Sequence, residues 1–217
     1  NETAAAWDIA IIHTCFNLGA TAVLLPMNGL LVKLAYLIIP REQTPQKQEL
    51  LDERLLNTPA VAVQRAHEIT GRMATLSYDA LEKAVSLTHE YTEELHDQGK
   101  ALEEETDQLQ DALGTYLVKL SGTNLAHSDN RILNTLLYSI SDVERIADHA
   151  LSLGNAAKEM NEKQINFSDA AKAELAVLER AVLDVVNKTV SAFESADLGI
   201  AMKIEPEEQV IDSLVRE

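Results

Sequence analysis

Residues 136–151 read Leu136-Leu-Tyr-Ser-Ile140-Ser-Asp-Val-Glu144-Arg-Ile-Ala-Asp148-His-Ala-Leu151. Leu136, Leu137, Ile140, Val143, Ile146, Ala147 and Leu151 recur at the three- and four-residue spacing of a helix with a broad buried face. Glu144 and Asp148 stand inside that apolar frame. Being four residues apart, they project their carboxylates from the same side of the helix. Charges in such a setting need partners, because an uncompensated carboxylate is costly to take out of water. The stretch therefore predicts a helix packed in a bundle and a polar cluster at its surface.

The whole chain has the composition of such a bundle. Its 217 residues are 46% hydrophobic but only 4% aromatic, with 8 Gly and 5 Pro. A chain rich in Ala, Leu and Glu and poor in turn formers favours long helices over short strands, so an all-α fold is expected. The formal charge is −17. Residues 1–40 carry only Glu2, Asp8 and Lys33, so nearly all of that charge belongs to the remainder. Such a surface repels nucleic acid and anionic lipid headgroups and suits metal cations and basic partners. Cys15 is the single cysteine, so no intrachain disulfide can form. The chain begins at Asn1, and further sequence upstream is expected.

From Ile9 to Ile39 the only fully charged side chain is Lys33. As helix this run would extend over about 46 Å, more than the roughly 30 Å hydrocarbon layer of a bilayer. Pro26 and Gly29 interrupt it, which predicts a spanning helix to about Leu25 and a kinked continuation. No basic amino-terminal region or small-residue cleavage site marks it as a signal peptide. Arg41, Lys47 and Arg54 follow directly, placing the carboxyl side in the cytoplasm. His13 and Asn17 share one face of this helix, where they would line a transport path or hydrogen-bond to another membrane helix. The expected organisation is a transmembrane segment over 1–40, a linker over 41–57 and a helical domain over 58–217.

Within that domain, Thr58-Pro59 predicts a helix start, with the helix running to about His96 and closed by Gly99. A second helix is expected over about 100–120 and a third, capped by Ser128 or Asp129, to about Met160. Ser168-Asp169 predicts the cap of a fourth reaching about Ala196, and a fifth is expected to open around Pro206. Shifting the chain on itself by 105 residues superposes Asp79 on Asp184, Lys83 on Lys188, Val85 on Val190 and Ser86 on Ser191. The same shift superposes Glu103 on Glu208, Asp107 on Asp212 and Leu109 on Leu214. One register of this kind predicts a tandem three-helix repeat, the first over 58–162 and a partial second over 163–217.

Three Glu-x-x-x-Asp pairs therefore stand out: Glu103 with Asp107, Glu144 with Asp148, and Glu208 with Asp212. Facing pairs on adjacent helices repel unless something neutralises them. Two neutralisers are open: a bound cation, or Arg145 paired with acids of a neighbouring helix. A solvated acidic face is the alternative for the isolated pairs. Oxygen ligands suit Mg²⁺, Ca²⁺, Mn²⁺ or iron. His149 is either a further ligand or a core imidazole, and His67, His89, His96 and His127 are expected on helix surfaces. Glu93-Glu-Leu-His96 is a lone Glu-x-x-His; a carboxylate-bridged di-iron oxidase needs two, plus two further Glu. No phosphate-binding Gly-rich loop or nucleophile elbow occurs, and no enzymatic activity is expected.

Asp142-Val-Glu-Arg-Ile-Ala-Asp-His-Ala150 closely resembles the signature helix of the PhoU family. Glu103 to Leu109 and Glu208 to Leu214 are similar to that family's other motif, at the start of the second helix of each repeat. His13-Thr-Cys-Phe16-Asn17 with Leu25-Pro26 resembles the closing membrane helix of sodium/phosphate cotransporter-like proteins, in which a PhoU-like domain follows the transporter. Asp52 to Ala60 resembles the junction between the two parts. The resemblance implies the carboxyl-terminal part of a multi-pass protein of the plasma membrane. In such a protein, sodium would drive phosphate uptake and a cytoplasmic bundle would regulate it with metal held by the Glu-x-x-x-Asp pairs. The Gln-Ser-Ser transport repeats are absent here, as is a second Glu-Arg-x-x-Asp-His helix, so only the first site has both of its pairs in this chain. A membrane-anchored phosphate-signalling adaptor without transport activity is the alternative, and either form implies a homo-oligomer or a regulatory protein partner.

Overall fold

The computed structural model describes residues 11–22 and 51–216, and the chain divides into two units, 1–44 and 45–217. In the first unit, residues 11–22 are helical. Most of the expected span from Ile9 to Ile39 lies outside the described residues. Among the described residues no helix is long and apolar enough to cross a membrane.

The second unit is helical, with no strand among its described residues. Asp52 opens a short 3-10 turn, Glu53–Asn57, by accepting the Arg54 amide at 2.9 Å. Five helices follow: α1 (Pro59–His89), α2 (Glu93–Ser121), α3 (His127–Glu162), α4 (Asp169–Ser195) and α5 (Leu198–Arg216). Helices α1, α2 and α3 pack mutually, α4 packs on α1, and α5 packs on α4.

The three-helix layer follows from apolar seams at helical spacing. Ala62, Ala66, Ile69 and Met73 of α1 meet Leu109, Leu113, Leu117 and Leu120 of α2 and Leu133, Leu136 and Ile140 of α3 in one core cluster. Leu51 is buried in the same cluster, with Leu55 and Leu56 against it, so the final residues of the expected 41–57 linker are anchored to the bundle. A second cluster, built on Ala80, Leu81, Ala84 and Val85 of α1 with Ala150 of α3, includes Val182, Leu183 and Val186 of α4 at its margin. This cluster helps seat α4, and Phe193 of α4 packs against the first cluster.

Several boundaries differ from those expected. Helix α1 ends at His89 rather than His96, and α2 starts at Glu93 rather than near Lys100, running straight through Gly99. The cause is Thr92, whose extended backbone and hydroxyl cap the new helix at the Leu95 amide, with Glu93 and Glu94 favourably placed in its first turn. Thr58 precedes Pro59 as expected, but its side chain makes no capping bond. Ala126 takes the N-cap position of α3, so neither Ser128 nor Asp129 caps it. Ser168 does cap α4, accepting the Ala171 amide at 3.2 Å. Helix α5 opens at Leu198, not at Pro206, which lies inside it. Asp197 is the reason, since its carboxylate accepts the Gly199 amide at 2.7 Å.

The starts of α1 and α4, after Thr58 and Ser168, are 110 positions apart rather than the 105 of the sequence register. Thr92 and Asp197, the residues before α2 and α5, are 105 positions apart, the same shift that superposes the seven identities. The first repeat has three helices. The second has two among the described residues.

Candidate functional site

Helices α2 and α3 lie side by side, and each brings one Glu-x-x-x-Asp pair to their shared margin. Glu103 and Glu144 are half-buried, and Asp107 and Asp148 are exposed. Burial raises the pKa of Glu103, and the nearby carboxylates of Asp148 and Asp107 raise it further. Glu144 is also raised, first by burial and then by Asp148, with Asp107 and Glu103 adding to the effect. The Asp148 carboxylate contributes to the upward shift of both glutamates. The four predicted residues thus lie within electrostatic reach of one another at this margin. The set is open, however: no three of the four bring one oxygen each within 4.8 Å of one another.

Two neighbouring acids of the same run have basic partners. Glu104 has Lys100 at 3.7 Å and Glu105 has the Arg72 guanidinium at 2.8 Å. Glu103, Asp107, Glu144 and Asp148 have no cationic side chain within 4.0 Å among the described residues, and Arg145 forms no ion pair there. Their charge is left to solvent, a proton or a bound cation. His149 is exposed and does not occupy the core position considered for it.

Residues 70–157 match the PhoU domain. The match starts within α1, takes in all of α2 and nearly all of α3, and so contains all four clustered carboxylates. A PhoU domain implies a regulatory role in phosphate homeostasis. No curated protein and no solved structure matches the chain.

The third expected pair is placed differently. Glu208 and Asp212 lie exposed on α5, where Asp212 has the Arg216 guanidinium at 3.4 Å. Glu207, next to them, is held by Lys188 at 2.8 Å. No second carboxylate pair meets Glu208 and Asp212 among the described residues. His13 and Asn17 lie in the helical residues 11–22, both exposed.

Two polar sites escaped the sequence reading. His96, expected on a surface, is buried, with its Nε2 at 3.0 Å from Asn155 Oδ1. Glu179 of α4 is buried at the end of α1, where the Thr88 hydroxyl donates to it at 2.7 Å and His89 Nε2 lies at 2.7 Å. That carboxylate ties α4 to α1. His67 stacks on Phe193 with ring centroids 4.6 Å apart, a second link between the same helices. The Thr88-His89 pair carried no local signal for Glu179, because the partners are far apart in sequence.

Proposed function

We propose that this chain is the carboxyl-terminal portion of a sodium-dependent phosphate transporter, in which the helical unit regulates uptake according to a metal ion held between α2 and α3. The observation that carries the reading is the contrast within one acidic run: Glu104 and Glu105 have basic partners, whereas Glu103 joins three further carboxylates that have none. A hard divalent cation such as Mg²⁺ or Mn²⁺, bound through Asp148 with Glu103 or Glu144 and completed by water, would relieve that repulsion. The role proposed is regulatory rather than enzymatic.

Residues 9–39 would supply the closing membrane helix, with His13 and Asn17 facing the rest of the transport core and the bundle on the cytoplasmic side of the plasma membrane. The test is sodium-dependent uptake of labelled phosphate in cells lacking their own uptake systems and expressing the full reading frame. Uptake should appear, and its response to external phosphate should change when Asp107 and Asp148 are replaced by Asn. Absence of uptake, with the signalling response retained, would instead indicate a membrane-anchored adaptor.

A further inference from the structure

The first turn of α2 contains a second set of metal-ligand side chains, separate from the four carboxylates. Glu93, His96 and Asp97 bring one ligand atom each within 4.8 Å of one another. The side chain of His96 is only 9% exposed, and its Nδ1 is buried without a hydrogen-bond partner. That nitrogen lies 3.9 Å from Asp97 Oδ1. Its other nitrogen is engaged: Nε2 lies 3.0 Å from Asn155 Oδ1, a pairing that selects the tautomer with the hydrogen on Nε2. In the neutral ring, Nδ1 then presents a lone pair toward a carboxylate. Two acceptors facing each other repel, and a proton on Nδ1 or a cation bound between them relieves that repulsion.

We propose that Glu93, His96 Nδ1 and Asp97 bind a divalent first-row transition cation of the Zn²⁺ class. One imidazole with two carboxylates suits zinc, manganese or cobalt better than Mg²⁺ or Ca²⁺, which prefer all-oxygen shells. Ligand bonds to zinc are about 2.0–2.2 Å, so neighbouring ligand atoms close to roughly 3.5 Å around the ion, a small side-chain adjustment on one helical turn. Asn155 serves as the outer partner that fixes the ring. The helix itself does not demand these residues. In the same 105-residue register α5 opens with Leu198, Ala201 and Met202 where α2 has Glu93, His96 and Asp97.

Lys158 supplies a competitor. Its Nζ is 3.0 Å from Glu93 Oε1, while the Tyr91 hydroxyl donates to Glu93 Oε2 at 2.7 Å. A bound cation takes the place of the ammonium, so metal and Lys158 oppose each other at Glu93.

The experiment is a Zn²⁺ titration of the full chain followed through the imidazole ¹⁵N resonances of His96. Nδ1 should shift to the metal-bound range while Nε2 retains its proton, and a large excess of Mg²⁺ should not reverse the change. Asp97→Asn, at a side chain 72% exposed and therefore harmless to folding, should weaken the midpoint about tenfold or more. Lys158→Gln should tighten it. A His96 Nδ1 signal unmoved at saturating Zn²⁺, or the same midpoint with Asp97→Asn, would overturn the assignment. Since the readout is local to His96, binding at the α2 and α3 carboxylates neither mimics nor masks it.

Discussion

Leu109 of α2 is 4% exposed in the core cluster, whereas Leu214, its register partner in α5, is 37% exposed. The same holds along the first helix of each repeat. Ala171, Leu175 and Leu178 of α4, with Phe167 just before it, line an open groove with Leu214, and the register partners Ala66, Thr70, Met73 and Ala62 are all buried. Helical periodicity thus selects the same face in both repeats, but burial requires the third helix. In the first repeat α3 covers that face; in the second, no helix does so among the described residues. The carboxylates follow the same rule. Glu103 and Asp107 are opposed by Glu144 and Asp148 from α3, while Glu208 and Asp212 remain on a solvated surface beside Arg216.

Truncating the paired leucines should sharpen this contrast most. Leu109→Ala removes a buried side chain and should cost about 2–5 kcal/mol, whereas Leu214→Ala should cost a small fraction of that. Urea unfolding followed by circular dichroism measures both. Similar losses would mean that the second repeat buries its core after all.

A smaller effect is expected from the titration of the acidic cluster. Glu103 and Glu144 have pKa values raised by burial and by neighbouring carboxylates. A carboxyl raised on folding favours the folded state below its ordinary range and loses that contribution as the pH climbs through the raised value. In metal-free buffer, Glu144→Gln should therefore gain stability relative to the unsubstituted chain between mildly acidic and neutral pH. Glu208→Gln, on the exposed face of α5, should show no such trend. Thermal melts across that pH range make the comparison, and parallel curves for all three proteins would break it.

The smallest effect concerns backbone propensity. Gly99 lies inside α2, and a methyl group added there would meet nothing within 4 Å. Gly99→Ala should stabilise the bundle by about 0.5–1 kcal/mol. Destabilisation, read as a lower melting temperature, would indicate a backbone break at this position.

The reading of Gly99 as a helix terminator illustrates where sequence inference failed. A glycine at a helix end and one within a helix look alike locally. Thr92-Glu93-Glu94 carried the actual boundary signal, as Asp197 did for α5, and both were outweighed by more prominent Gly and Pro residues. The all-helical class and the placing of Glu103, Asp107, Glu144 and Asp148 at one margin of α2 and α3 were legible, because periodicity and i,i+4 spacing fix which face a side chain takes. The burial of His96 and Glu179 was not. It depends on Asn155 in one case and on Thr88 and His89 in the other, contacts set by how the helices pack.

The central claim is that opposed carboxylate pairs, rather than acidic pairs as such, create a cation site. Calorimetric titration of Mn²⁺ into the full chain, the Asp148→Ala variant and the Asp212→Ala variant tests it directly. Asp148→Ala should abolish a binding event that Asp212→Ala leaves intact. Equal binding by all three, or equal loss in both variants, would contradict the account.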